Sequence, residues 1–104
     1  MKNGIELITE ERARQVSKEG WTALHDSEHY MGEMAEAACC YAQAAQMVGH
    51  GLPMHTIEET PGEWPWDAEW WKPGADRVRN LVKAGALIAA EIDRLQRLRE
   101  HTAL

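Results

Sequence analysis

The chain has 104 residues, enough for one domain over residues 1–104 and no more. Seventeen acidic against eleven basic residues give a net charge of −6, which repels phosphate backbones at long range and excludes nonspecific nucleic-acid binding, although a local basic cluster can still hold a small anion. There is no basic segment followed by an apolar one at the N-terminus and no apolar run of about 18 residues, so the expectation is a soluble, cytoplasmic protein with no membrane partner.

The first predicted element is a helix over Ile5–Glu19, with a weak apolar stripe of Ile5, Ile8, Arg12 and Val16 and a stop at Gly20. Residues 20–26 (GWTALHD) read as a turn anchored by Trp21, with Asp26 or Ser27 as an N-cap. A second helix is expected over Glu28–Val48. It is rich in alanine, which permits close helix–helix approach, and Met31, Met34, Ala38, Tyr41 and Ala45 fall on one stripe. Its two cysteines, Cys39 and Cys40, are adjacent and have no third partner, so they act as small apolar residues rather than as a disulfide.

Residues 49–74 hold all four prolines and four of the five tryptophans. So many tryptophans predict an ordered cover packed across the helices, with a short helical turn near Asp67–Trp71. The third helix runs from Ala75 to about Arg99. Val78, Leu81, Val82, Gly85, Leu87, Ile88, Ile92, Leu95 and Leu98 repeat at helical spacing and wrap nearly around the axis, which predicts a central helix. The fold class is therefore all-α, three main helices with a Trp/Pro-rich segment across them. The Ala-rich helix and the surplus of tryptophans also suit a homo-oligomer.

Three constellations carry chemistry. Asn80, Lys83, Leu87 and Glu91 form one column on the third helix. In apolar surroundings Lys83 needs an acidic partner, for which Glu33 and Glu36 are candidates; otherwise it snorkels to solvent. His25-Asp26-x-x-His29 followed by Glu33 and Glu36 combines imidazole and carboxylates at helical spacing, a set that suits a divalent metal or simply caps a helix. Lys72, Arg77, Arg79 and Lys83 cluster about the start of the third helix, whose dipole adds to their charge and whose neighbours Trp64, Trp66, Trp70 and Trp71 could stack on a ring. No Gly-rich phosphate loop, CxxC, GxSxG or HExxH occurs.

The strings EERARQVSKEGWTALHDSEH, GEMAEAACCYA, WPWDAEWWKP and NLVKAGALIAAEIDRL resemble a family of small phage and prophage proteins over most of the chain. That resemblance implies a phage-type accessory protein in the host cytoplasm and supplies no activity. The Ala-rich helix with Glu33-x-x-Glu36 is also similar to the MazG-like all-α nucleoside triphosphate pyrophosphohydrolases, which implies magnesium held by ExxE on one helix and ExxD on another. Glu33 and Glu36 match the first pair. Asn80 and Lys83 stand where the second would fall, and Glu91 and Asp93 are spaced ExD about two turns on.

Three expectations follow. The first is a binder of a small phosphorylated nucleotide or of a host protein, without catalysis, using Lys83, Arg77, Arg79, Trp66, Trp70, Trp71 and Glu91. The second is a magnesium-dependent pyrophosphohydrolase with Glu33, Glu36 and His29 at the metal. The third is a purely structural interaction module.

Overall fold

The computed structural model describes residues 1–102; the last two residues of the expected domain lie outside the described residues. Five α-helices follow in order: α1 Gly4–Glu19, α2 Ala23–Asp26, α3 Glu33–Gly49, α4 Met54–Ile57 and α5 Arg77–Thr102, with a single 3-10 turn at Ala68–Trp70 before α5. Three of them are long, and no strand occurs among the described residues, so the molecule is all-α as its periodicity predicts.

The boundaries follow local chemistry. Asn3 and Glu6 form a reciprocal capping box at the start of α1, and Gly20 ends the helix in the left-handed conformation at φ 74°. Asp26 does not cap the second long helix. Thr22 caps the short α2, and Asp26 closes it as a buried residue. The second long helix begins at Glu33 rather than Glu28, because Gly32 adopts φ 85° and breaks the chain direction there. Met31 therefore falls off the expected stripe and is exposed, whereas Met34, Ala38, Tyr41 and Ala45 are buried.

The core lies between α3 and α5. Ala37, Ala38 and Ala44 are essentially inaccessible, and their small side chains let α3 pack closely against Ala84, Leu87 and Ala90 of α5. The Trp-rich segment completes this core. Trp64 and Trp71 are buried against Tyr41 with ring centroids 5.7 and 4.8 Å away. The Trp71 indole donates to the Ile57 carbonyl at 3.3 Å, and the Tyr41 hydroxyl accepts from the Lys72 amide at 3.2 Å. These bonds satisfy the polar edges of the aromatic residues and pin the segment to α3 and α4.

Two expectations about the helices are corrected. α5 is not wrapped on all sides. Val78, Leu81, Ile88, Ile92, Leu95 and Leu98 are exposed, because only α1, α2 and α3 pack on α5 and their contacts leave one face open. On α1 the fully buried residues are Glu11 and Gln15; of the expected stripe, Ile5 and Val16 are exposed, whereas Ile8, half buried, packs on Gly85 of α5 and Arg12, half buried, pairs with Asp26. Ion pairing explains the reversal. Glu11 is buried because two arginines, Arg14 and Arg79, neutralise it.

Candidate functional site

A cleft opens where α1, α2 and the Trp-rich segment meet over Leu87 of α5. It has two adjoining halves that share Glu19, Trp21, Trp70 and Leu87 in their walls.

The aromatic half encloses about 450 Å3, within the range of small-molecule sites. Its wall is a closed circuit of four rings. Trp21 stacks on His25 with 4° between planes, His25 meets His29 edge to face at 4.8 Å, and His29 and Trp21 both pack on Trp66. Helical spacing on α2 and the turn after it brings His25 and His29 together. Asp26, buried behind them, accepts from Arg12 of α1 at 2.6 Å. Arg12 also donates to the Trp21 carbonyl at 3.3 Å, so one guanidinium fixes both the turn and the carboxylate. Two donor-capable atoms of this wall, Trp66 Nε1 and His25 Nδ1, are buried without a hydrogen-bond partner. Neither atom has accessible surface, so both lie behind the wall of the cleft rather than on it, and the His25 Nδ1 is 3.5 Å from the buried Asp26 carboxylate.

The charged half encloses about 200 Å3. Glu11 stands at its base, bonded by Arg14 through both carboxylate oxygens at 2.8 and 2.9 Å and by Arg79 at 2.7 Å. Burial pushes the Glu11 carboxyl up, but the hydrogen bonds and charges of the two arginines outweigh it and hold the group below the ordinary carboxylate value. Gln15 donates to the same carboxylate at 3.4 Å, and its own Oε1 is buried without a partner. Lys83 is different. Its ammonium donates to the Lys72 carbonyl at 2.7 Å and lies 5.4 Å from the Tyr41 ring centre. No acidic group among the described residues lies within 4 Å of it. Burial, reinforced by the positive charge of Arg79, pushes its pKa down. Lys72 in turn lies over the exposed Trp70 ring at 5.5 Å.

The sequence-predicted residues separate into groups. Lys83, Arg79, Trp66, Trp70 and Lys72 line the cleft, and so does His29. Trp64 also reaches the aromatic half, with its indole donating to the Asp67 carbonyl at 3.1 Å. Trp71 lies in the core rather than in either half. Arg77 lies elsewhere, with its guanidinium flat against Gly49 at the C-terminal end of α3, where helix carbonyls favour a cation. Glu91 forms a self-contained pair with Arg94 at 2.6 Å and does not reach Lys83.

The metal set does not assemble. Glu33 accepts from the Met31 amide at the start of α3 and sits 3.5 Å from His29, while Glu36 is exposed. Burial raises the Glu33 carboxyl, and the backbone hydrogen bonds and His29 bring it below its ordinary value. Among the described residues no three metal-ligating side chains gather as a set that could hold an ion. The residues present therefore do not fit the magnesium site that the hydrolase resemblance implies.

No known family, characterised protein or solved structure matches the chain. The functional reading accordingly rests on the cleft itself. Sequence reasoning missed the α1 contribution of Glu11, Arg14 and Gln15 and the Tyr41 ring under Lys83. The available signal was the i, i+3, i+4 spacing of Glu11, Arg14 and Gln15, which puts three polar groups on one helix face.

Proposed function

We propose that this protein binds a small phosphorylated ring compound, a nucleotide, in the cleft and does no chemistry on it. The observation that carries the reading is Lys83, a half-buried ammonium with no carboxylate partner among the described residues, opening on a hollow continuous with an aromatic chamber. Burying a cation without a counter-ion costs free energy, and an incoming phosphate removes that cost. Lys83, with Arg79 and Lys72 beside it, would take the phosphate. Trp66, Trp21 and Trp70 would face the base. The resemblance to phage proteins would make host cytoplasm the setting.

Calorimetric titration against mono-, di-, tri- and cyclic nucleotides tests this, with phosphorus NMR of the recovered ligand to show that it leaves intact. Binding lost in Lys83→Met and in Trp66→Leu is the expected result. A silent panel, or affinity unchanged in Lys83→Met, would overturn it. Pyrophosphate release with magnesium would instead favour the hydrolase reading, for which the donor set is incomplete.

A second reading, docking of a host protein, is favoured by one observation. Leu24, Tyr30 and Met31 are all at least 70% exposed on the segment that forms one wall of the cleft. Substituting all three by serine separates the readings, since it should spare nucleotide binding and abolish capture of a protein partner.

A further inference from the structure

Charge is divided unevenly between the two halves of the cleft. In the charged half four cations, Arg14, Lys72, Arg79 and Lys83, stand against two carboxylates, Glu11 and Glu19, an excess of two positive charges. The aromatic half, among the described residues, has no lysine or arginine in its wall and carries Glu19, Asp26 and Asp67. Glu19 belongs to both, so a carboxylate stands at the junction. The cations of the charged half are not equally committed. Arg14 bonds Glu11 through two nitrogens, at 2.8 and 2.9 Å, and Glu19 through the third at 3.0 Å. Arg79 gives Glu11 one contact at 2.7 Å, and the Lys72 and Lys83 side chains form no ion pair among the described residues. The excess therefore sits on Lys72, Lys83 and the remaining donors of Arg79.

Resting on the nucleotide reading above, we propose that the species bound is a nucleoside monophosphate, with one terminal phosphate, in preference to a di- or triphosphate. The charge matches. A phosphate monoester carries about −2 at neutral pH, which the excess in the charged half balances. Each further phosphoryl group adds negative charge that no cation of the wall answers. The room is divided in the same way. The charged half encloses about 200 Å3 and the aromatic half about 450 Å3, a small cup for one phosphate beside a larger chamber for a base and its sugar. A longer phosphate chain has to back toward the ring, where it meets Glu19 at the junction and Asp67 beyond it. The net charge of the whole chain, −6, opposes a more highly charged ligand in the same sense. A cyclic monophosphate is a diester with a single negative charge, and it leaves part of the positive excess unanswered.

Calorimetric titration of the full chain in magnesium-free buffer, with the mono-, di- and triphosphates and the cyclic monophosphates of the common ribonucleosides, tests the inference. The expected result is a monophosphate bound several-fold more tightly than its di-, tri- and cyclic counterparts. Two variants shift that ranking through charge. Lys72→Met removes an exposed cation and leaves in place the backbone groups that bond Tyr41 and Lys83. The monophosphate should then weaken several-fold and lose its advantage over the cyclic form. Glu19→Gln removes the junction carboxylate and should bring the diphosphate level with the monophosphate or ahead of it. Both side chains are at least partly exposed, so helical circular dichroism should stay unchanged. A triphosphate or a cyclic monophosphate bound by the wild type as tightly as the monophosphate would overturn the inference and leave the nucleotide reading standing, as would a ranking unmoved in either variant. Silence across the whole panel would remove both.

Discussion

The Lys83 ammonium donates to the Lys72 carbonyl at 2.7 Å, and burial, reinforced by the charge of Arg79 and only partly offset by Glu11, pushes its pKa down. Burial disfavours the charged form of this side chain. Lys83→Met is therefore expected to leave stability within about 1 kcal/mol of the wild type or to raise it, while ligand binding falls at least tenfold, the usual trade between a site and its scaffold. The pH dependence follows from the direction of the shift. A lysine whose folded pKa lies below its ordinary 10.5 makes the folded state bind fewer protons than the unfolded one in the window beneath that value, so stability rises with pH there. Lys83→Met should remove that rise. Affinity for an anion should fall across the same window, because the ammonium is being lost. Denaturation and calorimetry between neutral pH and that window check both slopes, and equal slopes in wild type and variant would refute the assignment.

Glu11 has the opposite sign. Its carboxyl is held below the ordinary 4.5 by Arg14 and Arg79 in spite of burial. The unfolded chain then binds more protons than the folded one in the acid range. The stabilisation is complete above the ordinary value and is lost as the pH falls through the lower folded one. Glu11→Gln should cost about 1–3 kcal/mol at neutral pH, since two charge-assisted contacts lose their anion. The variant should also unfold less steeply on acidification than the wild type. Urea midpoints at pH 7 and at successively lower pH would show the two curves converging.

Asn80 is wholly buried at the start of α5, and its side chain makes a two-point clasp on Gly74, accepting from the amide and donating to the carbonyl, each at 2.9 Å. This clasp ends the Trp-rich segment two residues after Lys72. Asn80→Ala leaves both Gly74 groups without the partner and is expected to cost about 2–3 kcal/mol. Asn80→Asp should do no better, because it keeps the acceptor, loses the donor and adds a charge at a buried position. Ligand affinity should weaken in both, since Lys72 and Trp70 belong to the freed end. Thermal melts beside the same nucleotide titration would reveal a purely local role if affinity stayed constant.

The all-α architecture and the packed tryptophans were legible because apolar periodicity and Trp content report burial directly. Lys83, Arg79, Trp66 and Trp70 could be grouped because they are close in sequence to the start of α5. The acidic base of the cleft could not. Glu11 and Gln15 look like solvent-facing residues of a charged helix, and the burial of Glu11 depends on Arg79 arriving from α5 to join Arg14. Periodicity also overstated α5. It identifies an apolar face but does not say whether that face is covered, so the open Leu81–Ile88–Ile92 side was read as core. The expected Glu28 start failed for a local reason, the positive φ of Gly32, which spacing of apolar residues does not encode.

Gly85 gives a test of how α1 sits on α5. Alanine in a helix interior is favoured over glycine by about 1 kcal/mol, yet a Cβ at Gly85 would stand 2.5 Å from the Ile8 Cδ1 and 2.8 Å from its Cγ1. The δ-methyl could swing away, but Cγ1 hangs on a β-branched carbon whose rotamers are few. Gly85→Ala alone is therefore expected to lose its helix-propensity gain and to be neutral or destabilising. Ile8→Ala removes the obstacle. Adding Gly85→Ala to Ile8→Ala should then raise stability by about 1 kcal/mol, a coupling that a double-mutant cycle measures directly. If the two substitutions were simply additive, Ile8 would not lie on Gly85, and the crossing of α1 over α5 that buries Glu11 beside Arg79 would need to be redrawn.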